Sequence, residues 1–587
     1  MLLATAMMIA PCPSIVRAAD PAVPAPPDSP AERPSPAAGP IAPVNPASTA
    51  TPPPVKSAPP SSVAPSTAAP APAPSSPQTF SVLEYQVEGN TLLAPIDIER
   101  AVTPFLGDNK SVKDVEAARA KLEGVYHDRG YKTVLVNIPQ QKIGAGVVRL
   151  TVLEGAVGTL TIKGSRYHSL QVLRDKLAEV NPNTVPNFNE LQKEMGDVNR
   201  SADLRVTPVL RASQTPGRVD VDLSVEDELP LHALLDVNNR YNANTTHLRT
   251  TGELRYDNLF QRSQSFSFQY QVAPERTADA KIWSASYVIP TSGPFVWALY
   301  AVHSDSNVAA VGSLDVIGKG NIYGLRLIST LPTSDPSFYH SLTLGLDYKD
   351  FKQSVIQHGA TQSVDSPIRY PPFTLDYSAT WLGPLPAAGS TGRAATAGAR
   401  SSTSLDVGLN FLIQGFDTDW RQFAAKRAGA GTSYIVLHPS ISREQVLPAH
   451  WSVVAKLDGQ LANGPLINNE QFSAGGADTV RGYVEAERLA DNAVHGTLEL
   501  RTPQLLAGTA AKIDQSYLFL FTDAAKLWIQ QPLASQEKQF TLASAGLGLR
   551  FKSHGFTVAL DGARTLKPGF VTRAARMRGV FDVSYAY

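Results

Sequence analysis

The sequence predicts an α+β region followed by an all-β region, the second closing into a sixteen-stranded transmembrane β-barrel. Three observations lead there. A β-α-α-β-β order occurs twice in succession before about residue 230, which reads as a tandem repeat of about 75 residues. From Leu231 to Tyr587 helical periodicity gives way to two-residue alternation. No run of about 20 apolar residues occurs, which argues against a helical membrane span and leaves a barrel open. Among the 587 residues, 52 Lys+Arg balance 52 Asp+Glu, so the basic excess that nucleic-acid binding needs is missing.

Residues 1–19 are expected to be an export signal. Met1 to Ile15 are mostly apolar or small, and Val16-Arg17-Ala18-Ala19 offers the small side chains of a cleavage site, although no Lys or Arg opens the segment. A frayed apolar tail is the alternative. Lipidation of Cys12 is disfavoured because Pro11 stands where a small residue is needed. Cys12 is the single cysteine, so the processed chain is expected to hold neither a disulfide nor a thiolate metal site. Residues 20–78 are expected to be a disordered linker, since Pro21 to Gln78 contains 20 of the 46 prolines among Ala and Ser. Fully extended as polyproline II, that spacer would reach about 180 Å at ~3.1 Å per residue. Recognition by a proline-binding partner lacks support, because no cation flanks a clear P-x-x-P core.

Val82 to Val87 reads as a strand ended by Gly89-Asn90, followed by helices over Pro95 to Leu106 and Ser111 to Arg129. In the second helix Val115, Ala118, Leu122, Val125 and Tyr126 share a face, Ser111 can cap it, and Gly130 stops it. Strands over Thr133 to Ile138 and Val147 to Leu153 close at Glu154-Gly155. The order repeats with Leu160 to Lys163 and Gly164, helices over Leu170 to Val180 and Phe188 to Asn199, and strands over Leu204 to Ala212 and Arg218 to Glu226. Tandem units of this order resemble POTRA domains. Gly89-Asn90, Gly130-Tyr131, Pro139-Gln140-Gln141, Gly146 and Glu154-Gly155 resemble the first POTRA module of two-partner secretion transporters. The expected boundaries are 79–155 and 156–230. A small sheet with an open edge suits β-augmentation by an unfolded client; service as a spacer or dimerisation unit is the alternative.

Residues 231–587 are expected to form the barrel. Phe266, Phe268, Tyr270 and Val272 alternate with serines and glutamines, Leu342, Leu344, Leu346 and Tyr348 with Ser341, Thr343, Gly345 and Asp347, and Ala543 to Phe551 likewise. In a soluble sandwich the apolar face would meet a core; in a membrane barrel it meets lipid, and the polar face lines a wet lumen. Candidate strands begin near Leu231, His247, Gln264, Ala280, Pro294, Asn321, Ser337, Thr374, Ser402, Thr432, Trp451, Val494, Ser516, Thr541, Phe556 and Met577. The even count of sixteen suits an outer-membrane barrel, which leaves no unpaired edge in lipid. The last strand places Phe581, Val583, Tyr585 and Tyr587 on one face, and its terminal aromatic resembles the C-terminal signal of such barrels.

A connection of about 30 residues joins candidate strands eleven and twelve and contains Gly475-Gly476-Ala477-Asp478-Thr479-Val480-Arg481-Gly482-Tyr483. Val480-Arg481-Gly482-Tyr483 resembles the V-R-G-Y/F tip of the inward-folded sixth extracellular loop of these transporters and their insertase relatives. Phe521-Thr522-Asp523 resembles the F-x-D motif that receives the tip, except that Ala525 replaces the usual Gly. Alternation puts Phe521 and Asp523 on the lumen face. A guanidinium offsets the ordering entropy of a threaded loop by a bidentate bond to a shielded carboxylate, so Arg481 is expected to meet Asp523. Gly482 permits a tight turn, and Tyr483 adds packing area.

The chain carries no G-x-x-x-x-G-K-[ST], H-E-x-x-H or G-x-S-x-G, and its 11 histidines lack ligand spacing, so neither catalysis, cofactor nor metal is expected. The resemblance, over Thr79 to Tyr587, is to the outer-membrane transporters of two-partner secretion, similar to haemolysin-activator and filamentous-haemagglutinin transporters. It implies a barrel in the bacterial outer membrane, POTRA units in the periplasm, and export of a large unfolded haemolysin- or adhesin-type partner docked on them. It also implies contact with outer-membrane lipid, and with the barrel-assembly machinery during biogenesis. A barrel-assembly insertase and a passive porin are the alternatives. Insertases usually carry more POTRA units, and a porin needs none.

Overall fold

The computed structural model describes residues 79–587 apart from 144, 244, 292, 307, 312–313, 318, 357–362, 384–400, 507–512 and 535. The export signal and proline-rich linker expected over residues 1–78 lie outside the described residues.

The first small unit is a three-stranded sheet with two helices on it. Val147–Leu153 is central, parallel to Glu84–Glu88 and antiparallel to Leu135–Asn137. The helices are Pro95–Val102 and Val112–Asp128. Ser111 starts the longer one through a capping box, its amide and hydroxyl both donating to Asp114 Oδ2 (2.7 and 2.8 Å). That helix buries Val115, Ala118, Leu122 and Tyr126 against the sheet. The helix expected to run to Leu106 ends earlier, because Pro104 tightens Thr103–Phe105 into a 3-10 turn. Gly107–Lys110 then pairs with Phe80–Val82, an extra ribbon that these polar residues do not announce by alternation.

The second unit repeats the plan: Arg218–Asp227 is central, parallel to Ala156–Lys163 and antiparallel to Leu204–Ala212, with helices Leu170–Lys176 and Phe188–Val198. A matching clamp closes both units. In the first, Glu154 accepts from the amides of Thr91 (2.7 Å) and Leu92 (3.2 Å), just after the first strand. In the second, Asp227 accepts from the amides of Arg166, Tyr167 and His168 (2.6, 2.7 and 2.9 Å). A last-strand carboxylate thus caps the first-strand turn in each. The units abut at Gly130, whose carbonyl accepts from the Phe188 amide at 2.9 Å.

The rest is a closed antiparallel barrel of sixteen staves. Strands one to sixteen are Leu231–Asn238, Arg249–Leu259, Gln264–Val272, Lys281–Pro290, Phe295–Ser304, Gly320–Thr330, Phe338–Ile356, a two-part eighth (Ser363–Tyr370 and Phe373–Leu382), Ser402–Leu412, Tyr434–Val446, Ser452–Ala462, Asn492–Arg501, Ile513–Trp528, Gln539–Ser553, Phe556–Thr565 and Met577–Ala586. Both parts of the eighth pair with the long seventh; Pro371-Pro372, without amide donors, divides them. Strand starts fall within three residues of those expected, apart from the upper part of the eighth. Phe266, Phe268 and Leu547 point outward and are exposed at 41%, 41% and 60%. Arg326 points inward and forks onto Asp347 (2.6 and 3.0 Å), to which the Tyr300 hydroxyl also donates. An apolar outer face over a charged inner one is the membrane-barrel arrangement.

The second unit sits against the turn between strands two and three. Gln261 donates to the Tyr167 carbonyl (2.8 Å) and accepts from the Ser169 amide (2.9 Å), while Lys176 donates to Ser263 (2.9 Å).

Candidate functional site: the inward loop and its wall

Loop six, residues 463–491, folds back into the barrel between strands eleven and twelve. A short hairpin, Phe472–Ala474 against Arg488–Ala490, forms its stem. Beyond it, Val480 and Tyr483 are fully buried and Arg481 is 5% exposed. Gly482 turns the tip with φ of +94°; a Cβ there would lie 3.1 Å from Ala563 Cβ on the fifteenth strand. Both conformation and space therefore select glycine.

The structure places Arg481 on Asp523. Its Nε and Nη2 donate to the two carboxylate oxygens at 2.8 Å each, and its backbone amide donates to Oδ2 at 3.0 Å. Asp523 lies five residues below Trp528, the end of strand thirteen, so the tip reaches about 16 Å down the wall at ~3.3 Å per residue. The guanidinium carbon lies 3.6 Å from the centroid of the Phe521 ring. Phe521 and Asp523 of the F-x-D segment thus meet Arg481 as π face and carboxylate fork, the two modes guanidinium favours. Ala525, where the family pattern has Gly, is buried among loop and wall apolar groups. The Tyr483 hydroxyl donates to the Lys567 carbonyl (2.6 Å) and accepts from the Ala543 amide (3.2 Å), joining the tip to strand fourteen and to loop eight, residues 566–576 between strands fifteen and sixteen.

Sequence reasoning missed several partners. Arg481 Nη1 donates to Glu499 Oε1 at 2.8 Å, and Glu499 also accepts from Arg501 (2.7 Å). His495 Nε2 lies 2.8 Å from the Thr479 carbonyl, and its Nδ1 2.9 Å from Asp458 of strand eleven. His495, Thr497, Glu499 and Arg501 alternate with Val494, Leu498 and Leu500, so a polar lumen face of strand twelve was there to be read. Glu487 accepts from the amides of Val571 and Thr572 (2.7 and 2.8 Å) in loop eight. Arg578 of strand sixteen donates to the Tyr483 carbonyl, and Arg240, just past strand one, pairs with Glu485 at 3.3 Å. Nothing local in sequence joins these residues, which are 84 to 245 positions from their partners.

Among the described residues, Asp203, His232 and Asp257 bring metal-capable donor atoms within 4.8 Å of one another. His232 Nε2 lies 3.2 Å from each carboxylate, and Arg255 donates to the same Asp257 oxygen at 3.0 Å. The cation opposes a metal there, and the group braces the second unit against strands one and two.

Residues 80–155 match the family described as POTRA domain, ShlB-type, and residues 400–551 match the family described as haemolysin secretion/activation protein ShlB/FhaC/HecB. Both matched regions are thus similar to those of the outer-membrane transporters of two-partner secretion. The second match spans the inward loop and the strand that receives its tip. The outer-membrane transporter CdiB of Dickeya dadantii is 24% identical over 181 residues, 31% of this chain and 32% of that protein. CdiB of Escherichia coli strain 536 is 24% identical over 205 residues, 33% and 34% of the two chains. These alignments span about a third of the curated relatives' length. In fold, the chain is similar to solved CdiB of Escherichia coli (TM-score 0.57, 16% identity, 89% of this chain and 93% of that one). It is also similar to BamA of Haemophilus ducreyi lacking POTRA domains 1–3 (TM-score 0.50, 14% identity, 86% and 100%). The barrel lies in the outer membrane, with the POTRA units in the periplasm.

Proposed function

We propose that this transporter exports a large partner protein as an unfolded, haemolysin- or adhesin-type chain, docked first on the POTRA units and then conducted through the barrel. The observation that carries this reading is a closed sixteen-stranded barrel whose lumen holds the tip of a long loop by a bidentate ion pair, Arg481 to Asp523, in a chain that also carries two small sheets with edge strands. In the first sheet Glu84–Glu88 is the edge strand left to pair, since Val136 of the other edge strand, Leu135–Asn137, is already bonded to Glu123 and Arg119, and in the second sheet the edge strands are Ala156–Lys163 and Leu204–Ala212. Edge backbone groups pair with an extended client whatever its side chains, which suits an unfolded substrate. No nucleotide is needed if folding of the client outside the cell draws it through.

The Arg481 pair acts as a lock that fixes loop six during transport. Arg481→Ala cuts secretion strongly and alters single-channel conductance; unchanged secretion and conductance together sink the lock. Deleting Phe80 to Asp227 abolishes export while the barrel still inserts, and intact secretion by that variant sinks docking. General loss of outer-membrane proteins on depletion of this chain would instead favour an insertase.

A further inference from the structure

Loop six has a second fastening, at its foot, formed by residues that the family motifs do not include. Asp491, the last residue before strand twelve, has a fully buried side chain. It accepts from the amides of Leu466 (2.9 Å) and Gln530 (2.7 Å) and from Gln471 Nε2 (3.1 Å). Those donors come from the first part of loop six and from loop seven, residues 529–538 between strands thirteen and fourteen. Among the described residues, one cation meets the carboxylate. Arg427, in loop five (residues 413–433, between strands nine and ten), forks onto it, with Nη1 on Oδ1 and Nη2 on Oδ2 (2.8 Å). The same guanidinium donates to the carbonyls of Leu466 and Gln530, each at 2.7 Å.

Arg427 is itself held in place. It follows the helix Trp420–Lys426, whose Phe423 is 1% exposed and packs edge-on to Tyr370 at 5.6 Å between centroids. Gln422 accepts from the Arg369 amide at 2.9 Å, so the helix is pinned to the rim of strand eight. One side chain from a fixed support thus satisfies a carboxylate and two carbonyls that belong to loops six and seven. An outer mouth that passes a polypeptide needs these loops to part, and they meet at this group.

We propose that Arg427 is a positioning residue for loop six: through Asp491 it ties the loop's foot to loops five and seven, closes the outer mouth and aims the tip at Asp523. This rests on the reading of the Arg481 pair as a lock. Removing Arg427 leaves Asp491 buried without its cation, whereas Lys retains the charge but cannot fork or reach both carbonyls.

The test uses the full-length chain carrying a cysteine in place of Ala474, a fully buried stem residue outside both fastenings. Whole cells are treated with a membrane-impermeant maleimide, and purified protein is studied in planar bilayers. Heat-modifiable gel mobility confirms that each variant barrel is closed. Arg427→Gln and Asp491→Asn are expected to raise the labelling rate at least about tenfold and to increase conductance, with Arg427→Lys intermediate. Unchanged labelling and conductance in both, while Arg481→Ala still responds, overturn the foot latch and leave the tip lock standing. A response in both with silence from Arg481→Ala keeps the latch and removes the lock. If a variant barrel fails to close, Arg427→Lys decides: labelling at the unsubstituted rate overturns the latch, and faster labelling supports it.

Discussion

The wall that receives loop six and the seam that closes the barrel are built differently. Strands thirteen and fourteen pair from Ile513 to Trp528 and from Ser553 back to Gln539, one of the longest ladders in the cylinder. Strands one and sixteen pair only over Leu234–Asn238 and Asp582–Ala586. Below that ladder Ala233 and Tyr587 exchange backbone bonds (3.1 and 2.9 Å); above it the Asn239 side chain stands in for strand, donating to the Gly579 carbonyl and accepting from the Phe581 amide, each at 2.9 Å. The loop spans both regions from inside. Arg481 and Tyr483 hold it to strands thirteen and fourteen, while Arg578 and Arg240 hold it to strands sixteen and one. A strap hung from a long ladder thus crosses a short one. The tip contact is therefore expected to support the seam as well as the loop.

The sharpest way to break that comparison is Asp523→Ala. Arg481 would be left buried with one shared carboxylate, Glu499, and loss of one partner from a buried pair costs about 3–5 kcal/mol. The seam should then loosen although no seam residue has changed. Hydrogen exchange of the Leu234–Asn238 amides is expected to accelerate, with a lowered melting temperature. Seam protection equal to that of the unsubstituted protein would show that the loop does not brace it.

Next in size is a contrast between two glycines. A Cβ on Gly546 of strand fourteen would lie 2.5 Å from the Phe521 ring and 2.1 Å from the Gly562 carbonyl oxygen. Gly546 leaves space for that ring to lie flat beneath Arg481. Gly546→Ala should cost about 1–3 kcal/mol by overpacking and reduce secretion. On strand sixteen a Cβ on Gly579 meets nothing within 4 Å, so Gly579→Ala should leave melting temperature and secretion almost unchanged. Equal effects of the two would remove the distinction between floor and seam.

A smaller effect is expected at Asp582. Asn238 faces Asp582 and Asp236 faces Ser584, which makes the two acids diagonal neighbours in the shortest ladder. Asp582→Asn removes one of two like charges and should raise barrel stability by about 0.5–1 kcal/mol in denaturant titrations. A loss of stability would mean that the acids take part in closing the seam.

How much of this was legible in the sequence depended on the range of the physics involved. Alternation is local, so strand positions such as Gln264–Val272 and Phe556–Thr565 could be read directly. The upper part of strand eight could not: Pro367 interrupts it, and Pro371-Pro372 masks its link to Phe373–Leu382. The Arg481 pair was reachable because each partner sits in a short motif and because alternation set the face of Asp523. Glu499 was reachable by the same alternation, but lumen-facing acids are common and only the fold shows which one the loop meets. Arg427 and Asp491 are 64 residues apart, in loops without periodicity, and nothing in either stretch marks the pairing.

The last contrast is between the barrel and the clamp that seats it on the periplasmic units. Burial raises the Asp227 carboxyl, but bonds from the His168 ring and from the amides of His168, Arg166 and Tyr167 outweigh it and hold the pKa below the usual value. A folded value depressed in this way contributes stability that is fully present above the ordinary Asp pKa of about 3.9 and is lost as pH falls through the folded value. The clamped turn includes Tyr167, whose carbonyl receives Gln261 from the barrel. Acid should therefore loosen the turn and its seat on the barrel. Hydrogen exchange, corrected for intrinsic pH dependence, is expected to quicken at Arg166, Tyr167 and His168 below about pH 4. Asp227→Asn should abolish that acid dependence, and its persistence in the variant would assign the effect to another group.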